Sequence, residues 1–216
     1  MKRILLPLLA LAVSSSNVAA RFKPPDIQWQ ASFGGTGRDG VFVFQETADK
    51  GCVLGAYSAS APSGNKTSSY YGQNDYWVIR LNKHGSKLWE QAYGGSGDER
   101  ISKMVLLANG DMVLGGYSNS GTNQTKSASN LGGYDYWVVK LDKDGNQLWD
   151  RTYGGSSTDY LEAIVSTPDG GFLLGGQSFS SPGGTKTAPL KSVADYWLVC
   201  IDVAGNQRWD KSYSGV

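Results

Sequence analysis

Residues 135–155 read DYWVVKLDKDGNQLWDRTYGG, and a closely similar run lies 60 residues before them and another lies 60 residues after them. A fixed period of this length is typical of a protein built from stacked structural repeats. Within the run, Trp137, Val139 and Leu141 occupy alternate positions, which is the period of a β-strand. The chain contains three complete units and the start of a fourth, with these bounds: 29–88, 89–148, 149–208 and 209–216.

Each unit is predicted to form four short strands. In the third unit, apolar or alternating runs are separated by Gly-containing turns, of which PDGG at 168–171 is the clearest. No stretch combines the apolar period of an amphipathic helix with helix caps. A tandem four-stranded unit is the sequence form of a β-propeller blade, so we expect an all-β, β-propeller-type array of three four-stranded antiparallel blades. The strands expected in the third unit are 161–167, 172–178, 196–202 and 207–213.

Residues 27–33 (IQWQASF) match the fourth strand of a unit, although no earlier strands of that unit precede them. We therefore expect one extra N-terminal strand. Propellers have about 4–8 blades, so three units are expected to form an incomplete ring. The alternatives are an open arc, a fragment of a longer propeller, and half of a dimeric ring of about six blades. Because an open arc exposes blade faces, self-association is also expected.

All seven tryptophans fall into two columns with the same 60-residue step. A large aromatic residue repeated in every unit is expected to pack between neighbouring blades, because one blade cannot bury its own faces. We therefore assign the tryptophans to the structure and not to ligand binding. The first column is Trp29, Trp89, Trp149 and Trp209, and the second is Trp77, Trp137 and Trp197.

The run 135–155, followed by SSTDY and IVSTPDGGFLLGG, resembles the β-propeller repeats of secreted bacterial proteins and is similar to arrays common in Bacteroidetes surface proteins. A looser likeness is to the tryptophan-docking repeats of quinoprotein-like propellers, in which an Asp–turn–Gly–Trp run resembles Asp142, Gly145 and Trp149. The resemblance covers nearly all of the chain after residue 20. It implies a scaffold for binding and does not imply one particular chemistry.

The first twenty residues are predicted to be a secretory signal peptide. Lys2 and Arg3 precede the apolar run ILLPLLALAV, and Val18 and Ala20 fit the cleavage pattern for a cut after Ala20. This apolar run is too short to cross a bilayer, so we expect no membrane span and a secreted, periplasmic or cell-surface protein. Loss of Lys2 and Arg3 leaves 18 basic and 19 acidic residues, a net charge of −1, which argues against nucleic-acid binding.

The sequence offers little for catalysis or metal binding. His84, the single histidine, lies in a turn, and no phosphate loop or nucleophile elbow is recognisable. Cys52 and Cys200 fall in different strands of non-adjacent units, so we expect two free thiols. Carboxylates repeated in every unit are expected to brace loops, and the alternative is a hydrolytic, glycoside-active enzyme that uses Asp135 or Asp159. We predict no catalytic residue, no metal and no cofactor.

The long polar loops before the DYW triplets, 59–74, 119–134 and 179–194, are the expected binding regions, because loops on a rigid scaffold often carry function. They mix aromatic rings with amides, which suits sugars or polar protein surfaces. We predict a non-catalytic secreted module that binds protein or carbohydrate. One alternative is that the loops are flexible surface segments without a binding role. Another is that the chain is a structural spacer or a truncated fragment of a larger surface propeller protein. The candidate binding residues are Tyr70, Tyr71, Asn74, Asp75, Tyr134, Asp135 and Asp195.

Overall fold

The computed structural model describes residues 26–214, so the predicted signal peptide at 1–20 lies outside the described residues. Residues 26–214 form twelve β-strands and no helix, which confirms the all-β prediction. Within this part of the chain, no helix is therefore available to cross a membrane. The strands are β1 (Asp39–Glu46), β2 (Cys52–Ser58), β3 (Asp75–Leu81), β4 (Lys87–Tyr93), β5 (Glu99–Leu106), β6 (Met112–Ser118), β7 (Asp135–Leu141), β8 (Gln147–Tyr153), β9 (Asp159–Ser166), β10 (Phe172–Ser178), β11 (Asp195–Ile201) and β12 (Gln207–Tyr213).

The strands form three four-stranded antiparallel sheets, each made of consecutive strands. Sheet 1 contains β1–β4, sheet 2 contains β5–β8 and sheet 3 contains β9–β12. The strands predicted for the third unit are correct to within two residues, and the largest difference is that β9 begins at Asp159 and not at residue 161. Glu162 is the extra residue of a β-bulge in β9, opposite Gly175 and Gly176 of β10.

The three sheets stack face to face, and the apolar cores lie between them. We call the face that carries the DYW tryptophan the front face of a sheet, and the face that carries the DYW tyrosine its back face. Trp137 packs from the front face of sheet 2 against sheet 1, whereas Tyr136 packs from its back face against sheet 3. The alternating pattern read from the sequence therefore buries both faces of the middle sheet.

The DYW tyrosines also join the sheets by hydrogen bonds. The hydroxyl of Tyr76 donates to the main-chain oxygen of Trp137 at 3.0 Å, and the hydroxyl of Tyr136 donates to that of Trp197 at 3.1 Å. The rings of the same pairs have centroids 4.7 and 4.9 Å apart. Each buried hydroxyl thus has an acceptor in the next sheet, and the two interfaces are built in the same way.

The tryptophans of the first column cover glycines in turns of the following sheet. A Cβ at Gly145 would lie 3.0 Å from the Trp89 ring, and one at Gly205 would lie 3.2 Å from the Trp149 ring. Both glycines have positive φ, of 86° and 82°, in the left-handed region that favours glycine. The turn conformation therefore favours glycine at these positions, and the docked indole leaves little room for a side chain.

The strand predicted at 27–33 is wrong, because residues 26–35 have no regular secondary structure. A fourth strand needs a third strand beside it to satisfy its main-chain groups, and this segment has none. The segment nevertheless lies on the front face of sheet 1. There, Trp29 covers Gly85 and Phe33 packs against the core of that face. The repeat pattern thus predicts where the segment packs but not its conformation.

Cys52 and Cys200 are both free thiols, which confirms that prediction. Cys52 lies in β2 of sheet 1 and Cys200 lies in β11 of sheet 3. Because sheet 2 is stacked between these two sheets, the two sulfur atoms cannot approach to bonding distance.

Candidate ligand-binding groove

The loops before the DYW triplets are held by the aspartates of those triplets. Asp75 accepts a hydrogen bond from the main-chain N–H of Tyr71 at 2.8 Å, and Asp135 accepts one from Leu131 at 2.7 Å. Asp195 makes the corresponding bond in sheet 3. All three aspartates are buried, so their carboxylates position the loops and do not line an open surface.

Three buried lysines, which sequence reasoning missed, hold the middle of each loop. Lys66, Lys126 and Lys186 are at most 2% exposed, and their ammonium groups lie 5.2–5.9 Å from the ring centroids of the DYW tryptophans. Lys66 Nζ also donates to the carbonyl oxygens of Ser68 and Ser69. Burial lowers the pKa of all three lysines. Their recurrence at the 60-residue step was a signal for this role.

A second carboxylate in each unit ties the loop to the fourth strand. In sheet 2, Asp150 Oδ2 accepts hydrogen bonds from two loop N–H groups and from the Trp137 indole N–H at 2.9 Å. Sheet 1 carries Glu90 at this position, and its carboxylate accepts the equivalent loop N–H groups. Among residues 26–214 the buried Trp77 indole N–H has no partner, whereas the indoles of Trp137 and Trp197 donate to Asp150 and Asp210. The unpaired donor is an energetic defect of sheet 1.

We expect Glu90→Asp to raise the free energy of unfolding by about 1 kcal/mol, because the shorter side chain allows the arrangement seen around Trp137. Asp150→Glu is the matched reverse change and is expected to lower the free energy of unfolding by about the same amount. Urea unfolding of the two variants and the parent chain measures both effects. Equal stability in all three proteins would contradict this interpretation of the unpaired Trp77 indole.

The loops of sheets 1 and 2 meet at Asp98, in the connection that leads into β5. Asn74 Nδ2 donates to Asp98 Oδ1 at 2.5 Å, while the Tyr134 hydroxyl donates to Oδ2 at 2.9 Å. Arg100 Nε donates to the same carboxylate at 3.0 Å. Burial, and then the hydrogen bond to Asp98, raise the pKa of Tyr134 to about 12, so its hydroxyl stays protonated at neutral pH. Asp98 therefore fixes the side chains of two successive loops relative to β5.

Three tyrosines from separate segments cluster at the same edge. Tyr117 lies near the end of β6, Tyr134 directly precedes β7 and Tyr160 lies near the start of β9, and their ring centroids are 4.8–5.6 Å apart. Such separations are typical of favourable aromatic pairs. The Arg100 guanidinium extends the cluster toward sheet 1, where it lies 5.5 Å from the centroid of the Tyr57 ring. The cluster thus draws on all three sheets.

These side chains line a groove of about 400 Å³ between sheets 2 and 3, which we call the tyrosine groove. Within residues 26–214, four of its polar groups make no hydrogen bond: the Tyr117 and Tyr160 hydroxyls, the Glu162 carboxylate and the terminal nitrogens of Arg100. A concave site with aromatic faces and unpaired donors and acceptors suits a small polar ligand. The lining residues are Asp98, Arg100, Tyr117, Tyr134, Tyr160 and Glu162.

A second groove, of about 380 Å³, lies at the opposite end of the sheets, beside the β1–β2 turn. Its floor includes Trp89 and Leu106. The guanidinium of Arg80 is already paired with both carboxylate oxygens of Asp49 at 2.7 Å. Because these charges satisfy each other, this groove offers fewer unpaired polar groups than the tyrosine groove.

The structure brings two of the seven predicted binding residues to the tyrosine groove. Tyr134 lines it, and Asn74 supports it through the hydrogen bond to Asp98. Tyr70 is exposed elsewhere in its loop, and Tyr71 lines a separate groove. The remaining three predicted residues are the buried DYW aspartates described above.

Sequence reasoning missed most of the groove because it searched the loops before the DYW triplets, and five of the six lining residues lie outside those loops. Asp98 corresponds to Arg38 and Thr158 in the other units, so it belongs to no repeated pattern. Arg100 likewise corresponds to Gly40 and Tyr160. Charged and aromatic residues at positions that vary between otherwise similar units were the signal that could have identified the site.

The repeated carboxylates come together in pairs between adjacent sheets. Asp75 and Glu99 flank Gly94, and Asp135 and Asp159 flank Gly154 in the same way. A Cβ at either glycine would collide with the two carboxylates beside it. All four side chains are buried. Burial, with a smaller effect of the neighbouring carboxylate, raises the pKa of Asp75 and of Asp135 to about 7. These pairs are enclosed, and no groove described above reaches them.

Two further polar residues named in the sequence analysis, Asp142 and His84, lie in hairpin turns. Asp142, in the run DKDGN, accepts main-chain hydrogen bonds from Asp144 at 2.9 Å and Asn146 at 2.8 Å within its own hairpin turn. His84 lies exposed in the matching turn of sheet 1. Between residues 26 and 214, no cluster of three or more His, Cys, Asp or Glu side chains is placed to hold a metal ion.

Comparison with known proteins gives no assignment: no protein-family model matches the chain, and no curated protein matches it. The function is therefore inferred from the chemistry of the tyrosine groove.

Proposed function

We propose that this protein is a secreted, non-catalytic module of the β-propeller type that binds carbohydrate in the tyrosine groove. The observation that carries the proposal is the meeting of three tyrosine rings with an unpaired carboxylate and unpaired guanidinium nitrogens in a groove of about 400 Å³. Sugar rings have apolar faces that pack on aromatic rings, and hydroxyls that hydrogen-bond to charged groups. The volume also lies within the range of small-molecule sites, about 300–1,000 Å³.

The scaffold supports a propeller-type arrangement. Three consecutive four-stranded antiparallel sheets stack through equivalent interfaces, and the loops of successive sheets gather at one end, as the loops of propeller blades do. Secretion is supported by the residue pattern of the first twenty residues.

The position of the carboxylates favours binding over hydrolysis. A glycosidase needs two carboxyl groups on either side of the bond that it breaks. Asp135 and Asp159 are fully buried between sheets, and in the groove Asp98 already accepts hydrogen bonds from three side chains. Glu162 is then the one carboxylate of the groove that is available to a ligand.

We expect Tyr160→Ala and Arg100→Ala each to lower the affinity for an oligosaccharide by about tenfold, because each removes a contact worth roughly 1–1.5 kcal/mol. A glycan array that includes neutral and uronic-acid oligosaccharides selects the probe, and calorimetric titration with that probe measures the affinity. The matched control is Tyr70→Ala, since Tyr70 is an exposed loop tyrosine outside the groove. The affinity of this variant for the oligosaccharide is expected to equal that of the parent chain.

Binding that survives both groove substitutions, or that Tyr70→Ala abolishes, would contradict the assignment of the site. Absence of binding to every glycan on the array would contradict the ligand class. Chromatography of the probe after prolonged incubation tests the non-catalytic role, and cleavage of the probe would overturn it.

A further inference from the structure

The back face of sheet 3 is bare, although it carries the residues that sheets 1 and 2 bury on theirs. Tyr196 is 68% exposed, whereas Tyr76 and Tyr136, at the same position of the repeat, are 0% exposed. Trp209 and Tyr213 are 42% and 49% exposed on this face. The Tyr196 hydroxyl also has no acceptor within residues 26–214, whereas its two counterparts donate to the following sheet. Within residues 26–214, no sheet therefore packs on this face, although it carries the residues that form an interface on the other two sheets.

The front face of sheet 1 is bare along β1. Val41 and Phe44 are 55% and 71% exposed, whereas Ile101 and Met104, at the same positions of sheet 2, are buried against sheet 1. The rest of this face is covered by residues 26–33, which take the place of the fourth strand of a preceding sheet. The described part of the chain, residues 26–214, contains no counterpart of the first three strands of such a sheet.

We propose that a second copy of this chain docks the back face of its sheet 3 on the front face of sheet 1, in a head-to-tail contact. The two faces are complementary because the chain already joins equivalent faces twice, between sheets 1 and 2 and between sheets 2 and 3. In the docked pair, Tyr196 donates to the main-chain oxygen of Trp77, as Tyr76 donates to Trp137 within the chain. The contact uses different surfaces on the two copies, so it is heterologous.

Residues 26–33 of the receiving copy compete with β12 of the incoming copy. Trp29 covers Gly85, and Trp209 belongs to the same tryptophan column, so the two indoles require the same position. β12 is hydrogen-bonded to β11 along most of its length, whereas residues 26–33 belong to no sheet. The segment 26–33 is therefore the element that is displaced, and it acts as an internal cap that weakens the association.

Trp29→Ala and Trp209→Ala are expected to change self-association in opposite directions, although both indoles are 42% exposed. Trp29→Ala loosens the cap and is expected to raise the association constant by about fivefold or more. Trp209→Ala removes part of the docking face and is expected to lower it by about tenfold. Size-exclusion chromatography with light scattering, run as a concentration series on each protein, gives the constants.

Two surface substitutions keep the test decisive if a tryptophan variant fails to fold. Tyr196→Arg places a charge on the docking face and is expected to abolish association. Leu148→Arg is the matched control, because Leu148 is 52% exposed on β8 and its counterpart in sheet 3 is Arg208; association is expected to be unchanged. Circular dichroism verifies the fold of each variant.

Three results would overturn the proposal. The first is a parent chain that stays monomeric at every concentration. The second is a pair of folded tryptophan variants that shift association in the same direction. The third is association that survives Tyr196→Arg or is lost in Leu148→Arg.

Discussion

Replacing Trp137 by alanine is expected to lower the free energy of unfolding by about 3–5 kcal/mol. The indole is fully buried at the interface of sheets 1 and 2, its ring centroid lies 4.7 Å from that of Tyr76, and its N–H donates to Asp150. The substitution opens a cavity between two sheets and also removes a donor from a buried carboxylate. The loss affects both sheets, because the ring belongs to the core that joins them.

The matched control is Trp209→Ala, which makes the same change at an indole that is 42% exposed. Its cost is expected to stay below about 1.5 kcal/mol, since much of the removed surface already faces solvent. Urea unfolding of both variants, at a concentration low enough to keep them monomeric, gives the two values. Losses of equal size would show that burial of Trp137 between the sheets does not contribute as described.

The free energy of unfolding is expected to fall as the pH rises from about 5 to about 7. Burial raises the pKa of Asp75 and Asp135 to about 7 in the folded chain, against about 3.9 in the unfolded chain. In this pH range the folded chain keeps a proton on each group that the unfolded chain has released. The folded state is therefore favoured at the lower pH, with a slope of up to about 1.4 kcal/mol per pH unit for each carboxyl group.

Asp135→Asn removes one of these two groups and keeps an oxygen that accepts the Leu131 N–H. We expect the slope between about pH 5 and pH 7 to be halved in this variant. Asp202→Asn is the control: hydrogen bonds to Asn206 lower the pKa of Asp202, so that group contributes below about pH 4 and not in this range. Urea unfolding across the pH series measures the slopes, and an unchanged slope in Asp135→Asn would contradict the buried acid as its cause.

Much of the fold could be predicted from the sequence, because each strand is marked locally by alternating side chains and each turn by glycine. The limits of β10 and β12 are those predicted, and β11 differs by one residue. Residues 27–33 carry the same local pattern and still form no strand. A strand depends on a neighbour that supplies hydrogen bonds, and a local pattern cannot report whether that neighbour is present.

The candidate site was less predictable, because stacking of the sheets creates it. Asn74 and Tyr134 were found through the composition of their loops, but Asp98, to which both bond, lies outside those loops. Tyr117 and Tyr160 are separated by 43 positions in the sequence and become neighbours when sheet 3 packs on sheet 2. Five of the six residues that line the groove lie in strands or in the connection to β5, outside the loops that their composition marked.

The position of the groove outside the apolar cores has an evolutionary consequence. Arg100, Tyr160 and Glu162 lie outside the apolar cores between the sheets, so under the proposed function substitutions at these positions are expected to alter ligand preference with little penalty in stability. Sixty residues earlier, at the edge between sheets 1 and 2, the counterparts of Arg100, Tyr160 and Glu162 are Gly40, Arg100 and Ser102 respectively. If the groove binds a ligand as proposed, each further unit is expected to add an edge whose selectivity can diverge while the packing between sheets is preserved.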